Sequence, residues 1–285
     1  MPTSRLAVDL SSGTLRVLEG LPGGPMRCGE GAAPPGALEG GRVLDSAALG
    51  QALRQLLARS EITATRALVA ASDAIASFRV LTFPKATPDA EIDASVRGEL
   101  NLGSDRMAMR HVEVSLGSEV RTIFAVMWDR SQVKAIAAAA RHAGLDPAAI
   151  DLKSLCVARA IEVDSCILLD MSAKPCEAVL IDGRVPRAAH NFKLKVGSGG
   201  DLALAVSIGL KPVLAFHQRS GAAGFGPNSP ILVRSDQALT SLLTDRLQQL
   251  TGHPVEALPR PPRVDPDVRY GPYLTCIGLV MRRRV

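Results

Sequence analysis

Apolar and polar positions alternate along this chain in a way that repeats. Leu6–Gly20 reads LAVDLSSGTLRVLEG, and Leu168–Gly183 reads LLDMSAKPCEAVLIDG. Each is an apolar run ending in one Asp, a small polar turn, and a second apolar run closed by Gly. That order predicts a β-hairpin. Two such hairpins in one chain predict two related lobes, with Asp9 and Asp170 at facing turns.

The stretch between them reads as an α/β chain. Leu21–Gly41 is rich in Gly and Pro and is expected to be a long surface loop, any strand in it being short and at an edge. Asp45 and Ser46 cap a predicted helix, with Leu49, Leu53, Leu56 and Leu57 on one face. Arg66–Ala71 reads as a buried strand. Ser77–Phe83 is another, ended by Pro84, and Pro88 suits the first turn of a helix carrying Ile92, Val96 and Leu100. His111–Leu116 alternates, Arg121–Trp128 reads as a strand, and Ser131 is expected to cap a helix stopped by Gly144. This strand–helix–strand–strand–helix series predicts an inserted α+β subdomain.

Further on, Asp151 is expected to cap a helix with Leu152, Leu155 and Cys156. The hairpin Cys166–Ile181 follows, then a helix from Asp201 bearing Leu202, Ala205, Val206 and Ile208. Gln218–Asn228 reads as a short glycine-rich loop and Ile231–Val233 as a brief strand. Leu239, Leu242, Leu243, Leu247 and Leu250 form one helical stripe. Leu258–Asp267 is a proline-rich crossing back to the first lobe, and Leu274–Met281 is a small apolar helix before Arg282, Arg283 and Arg284.

Composition narrows the function classes. At 285 residues, two lobes with an insertion are accommodated. No apolar run approaches the roughly 18 residues of a membrane span, and no signal peptide is visible, so a cytoplasmic protein is expected. Five scattered cysteines without a CxxC pair predict buried reduced thiols rather than zinc, and the five isolated histidines suggest no catalytic base. The net charge of +5 comes from dispersed cations, and aromatic residues make up only 3 %, which argues against nucleic acid. A mild attraction to an anionic membrane surface fits better.

The chemistry centres on the turns. A phosphate needs inward N–H donors, and magnesium needs a carboxylate to orient its waters. Asp9 followed by Ser11, Ser12, Gly13 and Thr14 meets these demands, although a plain hairpin has the same look. The second turn keeps Asp170 and Ser172 but places Lys174 and Pro175 at its tip. Pro removes a donor, while Lys could neutralise phosphate or stand where a metal would. Gly197, Gly199 and Gly200 precede the helix starting at Asp201, an arrangement that serves anion binding or close packing equally.

With these parts placed, the chain resembles the PilM family of type IV pilus assembly proteins, actin-like relatives of the division protein FtsA. The resemblance runs through LAVDLSSGTLRVLEG, Asp129–Ile161, ILLDMSAKPCEAVLIDGRV, GSGGDLALAVSIGLKP and YLTCIGLVMR. It implies an actin-like (ribonuclease H-like) two-lobed α/β fold with an inserted α+β subdomain. The first lobe would comprise residues 1–73 with 146–163 and 264–285, the insertion 74–145, and a shortened second lobe 164–263. It implies ATP between the lobes, with Asp9, Ser11, Ser12 and Gly13 forming the first phosphate turn and Asp170 and Ser172 what remains of the second; if nucleotide binds, Thr14, Gly199 and Gly200 would join them and Mg would sit on Asp9 and Asp170. It also implies a partner, the cytoplasmic tail of the inner-membrane protein PilN, together with other pilus assembly components.

The departures shift that expectation. Arg234, Ser235 and Asp236 stand where the family has a glycine-rich adenosine turn, and only Gln218–Asn228 fills the place of long pocket-forming helices. A nucleotide-free or weakly binding scaffold is therefore expected, with no catalytic residue and no cofactor, as in the cytoplasmic domain of GspL. It would sit at the inner membrane face through its partner. An ATP- and Mg-dependent ATPase, or a membrane-bound filament-forming division protein, is the alternative. Homo-oligomerisation stays open, as does the choice among pilus, competence and type II secretion machines.

Overall fold

The computed structural model describes residues 4–100, 105–114, 119–172, 175–196, 200–220, 224–235 and 237–282. Its first strands are β1 (Arg5–Asp9), β2 (Thr14–Gly20), β3 (Met26–Ala32), β4 (Leu38–Glu39), β5 (Arg42–Val43) and β6 (Arg66–Ala71), with helix α1 (Ser46–Arg59) before β6. Next come β7 (Ala76–Pro84), α2 (Asp89–Glu99), β8 (Met107–Glu113), β9 (Val120–Asp129), α3 (Arg130–His142), β10 (Asp146–Leu152) and α4 (Lys153–Ala160). The remainder is β11 (Cys166–Asp170), β12 (Cys176–Asp182), β13 (Val185–Phe192), α5 (Leu202–Ser220), β14 (Ile231–Arg234), α6 (Gln237–Thr251), β15 (Val255–Ala257) and α7 (Tyr270–Val280).

Two five-stranded sheets share one topology. In the order β10-β6-β1-β2-β3, the last three strands form an antiparallel meander and β6 and β10 add in parallel beside β1. In the order β13-β12-β11-β14-β15, β11 to β13 form the meander and β14 and β15 add in parallel beside β11. The duplication read from the two hairpins extends to whole sheets. The chain divides into two compact units: Met1–Val157 with Arg263–Val268 and Thr275–Val285, and Ala158–Pro262 with Arg269–Leu274.

In the first unit, α1 starts where Asp45 accepts hydrogen bonds at 2.9 Å from the amides of Ala47 and Ala48. Its stripe Leu49, Leu53, Leu56 and Leu57 is buried, each leucine stabilising by about 1.5–3 kcal/mol. A Cβ on Gly50 would lie 2.6 Å from the Ala139 carbonyl oxygen, so this glycine lets α1 pack closely on α3. The three-stranded sheet β7-β9-β8 carries α2 on one face, where Ile92, Val96 and Leu100 meet Ile123 and Ala125. In the second unit, Ile167, Leu169, Ala178 and Leu180 pack with Val206, Leu210 and Val213 of α5 and Leu243 and Leu247 of α6.

Several expectations are corrected. The Gly-rich 21–41 stretch holds a seven-residue strand, β3, as long as its partner β2. A Cβ on Gly29 would lie 1.9 Å from the Ser60 hydroxyl, so glycine here serves close packing rather than a loop. Asp151 lies in β10 rather than in a loop before a helix, and its carboxylate accepts a 2.7 Å bond from Arg282. Asp129, not Ser131, caps α3. In the α6 stripe, Leu242 is 77 % exposed and Leu250 is also exposed, and the Leu239 side chain lies outside the described residues. Cys28 is exposed, unlike the other four thiols. Arg283 and Arg284 lie outside the described residues.

Candidate functional site

Each hairpin presents its acid at the end of the strand that leads into the turn. Asp9 closes β1 and is 3 % exposed. Its Oδ1 accepts from the Ser11 amide at 2.9 Å and from the Ser11 hydroxyl at 2.6 Å. Ser12 Oγ donates to the Thr14 carbonyl at 3.2 Å and accepts from the Thr14 amide at 3.4 Å. The Gly13 carbonyl accepts from Ala33 N–H at 2.9 Å. The Ser11 amide and hydroxyl, the Ser12 hydroxyl and the Thr14 amide are thus engaged within the turn itself. A methyl group on Gly13 would meet nothing within 4 Å. Behind the turn, burial first and the negative charge of Asp9 second push the Cys276 thiol well above its ordinary value.

The second turn repeats the first and adds one group. Asp170, 3 % exposed, closes β11, and its Oδ1 accepts from the Ser172 amide at 3.0 Å and hydroxyl at 2.6 Å. Its Oδ2 accepts from Arg234 Nη1 at 2.9 Å. Both side chains are buried, 4 % exposed for Asp170 and 7 % for Arg234. The parallel register sets Asp170 beside Arg234 across β11 and β14, which places the guanidinium at the acid. Arg234 Nη2 donates to the Pro272 carbonyl at 3.1 Å. The carboxylate expected to serve magnesium therefore already holds a cation from its own chain. Breaking such a buried pair from one side costs about 3–5 kcal/mol. Burial and then the charge of Asp170 raise the Cys176 thiol as well.

A third copy of the same motif lies at the start of α3. Asp129 Oδ1 accepts from the Ser131 amide at 2.9 Å and hydroxyl at 2.6 Å. Its Oδ2 takes Arg42 at 2.6 Å and Arg106 at 2.9 Å. Burial pushes this acid up, but the Ser131 hydroxyl, Arg106 and Arg42 outweigh it and hold Asp129 well below the usual carboxylate range. Among the described residues, Asp9 is the one Asp-x-Ser acid of the three that no arginine pairs with.

Of the glycine-rich segment, Gly197 and Gly199 lie outside the described residues, as does Lys174, and Gly200 is exposed coil. The N-terminus of α5 is served by Asp201, whose Oδ1 accepts from the Leu204 amide at 3.0 Å. A carboxylate there satisfies the helix dipole and repels an anion. No group of three metal-ligating side chains occurs among the described residues. Sequence reasoning missed the Arg234 partnership, although one signal was present: a lone charge ending the apolar run Ile231–Arg234 must find a counter-charge when buried.

No family model matches the chain, and no curated protein sequence matches it. Solved structures do. The structure of a PilM–PilN type IV pilus biogenesis complex contains a chain that is 20 % identical, with 97 % of each chain covered and a TM-score of 0.69. The cytoplasmic domain of EpsL, an inner-membrane component of the type II secretion system of Vibrio cholerae, is 11 % identical, covering 99 % of this chain and 97 % of that one at 0.55. The ethanolamine utilization protein EutJ from Carboxydothermus hydrogenoformans is 15 % identical, covering 99 % and 90 % at 0.53. At these identities the likeness establishes the fold: the chain is an α/β protein of the actin-like class.

Proposed function

We propose that this chain is a scaffold at the cytoplasmic face of the inner membrane, in a type IV pilus or related secretion machine. In this reading it captures the cytoplasmic tail of a PilN-like membrane protein and holds nucleotide weakly or not at all. The observation that carries it is the correspondence over 97 % of both chains with the structure of a PilM–PilN complex. No described helix is long and apolar enough to cross a membrane, so attachment through a partner fits the reading. Residues 74–145 act as the inserted subdomain and 164–263 as the second lobe.

Two features add support. The Asp170–Arg234 pair opposes metal at the second turn, because a divalent cation there would have to displace a buried guanidinium. The second feature is the face of the three-stranded sheet opposite α2. Ile123, Ala125 and Met127 of β9 meet α2, so alternation sets Phe124, Val126 and Trp128 on the other side. Phe78 stacks on Phe124 at 5.7 Å, and cross-strand register adds Val80 and the 53 % exposed Val112. Arg42 and Val43 of β5 bond Asp129 and Gln132 next to this sheet. In this reading the apolar tail docks along the exposed part of this face, at Val112.

Calorimetry on the full chain with the cytoplasmic tail peptide of a PilN-like protein from the same genome tests this reading. The expected outcome is saturable binding, weakened at least about tenfold, or about 1.4 kcal/mol, by Val112→Asp with the circular dichroism unchanged. Absence of association would sink the proposal. A second reading, an active ATPase, is favoured by the Asp9 turn with no arginine on its acid. Micromolar Mg-ATP binding abolished by Asp9→Ala would establish that reading instead.

A further inference from the structure

The outer side of α5 carries a surface that neither the acidic turns nor the capture of a tail uses. Ala203, Val206, Leu210 and Val213 turn inward to the core of the second unit. Leu204 and Ile208, one helical turn apart, face the other way and are 45 % and 54 % exposed, and exposed Lys211 continues their row. An ordinary surface helix places polar residues on that face. Eight large apolar side chains are exposed among the described residues, and four of them lie on or beside α5. Besides Leu204 and Ile208 these are Val196, in the segment entering the helix, and Leu242, on α6 packed next to it. Such a concentration marks an interaction surface, whereas single exposed aliphatics do not.

Positive charge borders these groups. The strand β13 ends at Phe192, whose ring lies against α5: a Cβ on Gly209 would fall 2.1 Å from it. Beyond that ring, Lys193 and Lys195 are exposed on either side of Leu194, which packs on the core. Both lysines therefore leave the sheet near Ile208. No carboxylate holds Lys193, Lys195 or Lys211 among the described residues. The acid at the head of α5, Asp201, is held by Arg246 at 3.3 Å, one turn beyond Leu242 on α6. The surface thus combines aliphatic side chains with uncompensated ammonium groups.

That chemistry decides the occupant. Across a two-fold axis between two copies, this face would set lysines against lysines, and like charges oppose such pairing. An anionic lipid surface meets both halves of it: leucine and isoleucine enter the acyl boundary, and the lysine stems lie along them with their ammonium groups among the headgroups. The free cations are point charges suited to many headgroups, not the guanidinium forks that fix one carboxylate of a folded partner.

We propose that the outer face of α5, with Lys193 and Lys195, rests on the headgroups of an anionic membrane. The proposal deepens the placement at the membrane face argued above and rests on it. The contact is reversible by itself, since stable attachment takes two signals. A captured tail supplies the second, and the lysines then fix which side of the second unit meets lipid. Lipid contact is measured with no tail present, so either proposal can fail while the other stands.

Co-sedimentation of the full chain with vesicles tests it, comparing phosphatidylcholine alone with phosphatidylcholine carrying about one-third phosphatidylglycerol. Retention is expected on the anionic vesicles only, and it should fall as salt is raised from about 0.05 to 0.5 M. Lys193→Gln/Lys195→Gln should lower the partition coefficient at least about tenfold, and Leu204→Gln/Ile208→Gln at least about fivefold. All four side chains are exposed, so circular dichroism should report an unchanged fold for both variants. No retention at low salt, equal retention on neutral vesicles, or an unchanged partition coefficient in either double variant would overturn the proposal. A shift from dimer to monomer in the Leu204→Gln/Ile208→Gln variant, with vesicle retention intact, would give the face to a second copy and overturn it equally.

Discussion

A carboxylate buried at a strand end needs partners for both oxygens, and this chain meets that need by one device used three times. Serine two residues on serves the first oxygen at Asp9, Asp129 and Asp170, and arginine serves the second at two of them. Arg234→Met should therefore destabilise the protein by about 3–5 kcal/mol in urea unfolding, because the buried carboxylate of Asp170 loses its guanidinium counter-charge. The double variant Asp170→Leu/Arg234→Met should recover most of that loss. At the same scale, native-state alkylation should modify Cys28, which is exposed, and spare Cys166, whose thiol burial pushes up to about 12, and Cys276. Mass spectrometry of the labelled protein checks this. Asp9 and Asp170 were legible in the sequence because each ends an apolar run, whereas Asp129 was passed over in favour of Ser131. The pairing of Asp170 with Arg234 was not legible, since it joins residues 64 positions apart.

Among elements, the strongly periodic ones were readable and the weakly apolar ones were not. The stripe Leu49, Leu53, Leu56 and Leu57 announces α1, and Arg66–Ala71 announces β6. The strand β10, DPAAIDL, was read as the approach to a helix cap because Pro and Ala carry little strand preference. Its pairing with β6 decides the matter, a tertiary effect that local propensity does not contain. Strands β13 and β15 were missed for the same reason. Glycine marks the tightest packing between elements. A Cβ on Gly278 in α7 would stand 1.8 Å from the Cys156 carbonyl oxygen in α4. Gly278→Ala should cost at least the ~1–3 kcal/mol of overpacking, whereas Gly13→Ala should stay within about 0.5 kcal/mol. Comparing their denaturation midpoints tests whether shape alone requires the first glycine and not the second.

For the molecule as a whole, the repeated hairpin carried more information than any single motif, because it foretold two sheets of one topology. The acid response is a whole-molecule property with a clear sign. Asp129 is held below its ordinary value in the folded chain, so its contribution is fully present above about pH 3.9, the unfolded value. It is lost as pH falls from there through the folded value. Asp129→Asn should lower stability at neutral pH and flatten the fall at acid pH, as read from urea midpoints across pH 2 to 7.

The guanidinium at the end of β14 also makes a practical marker. In any related chain, the residue at the place of Arg234 should foretell the behaviour of the acid beside it. A small neutral side chain would leave that acid accessible to magnesium and triphosphate, and a long cation would foreclose them. One position could then sort fuel-users from pure adaptors before any protein is purified.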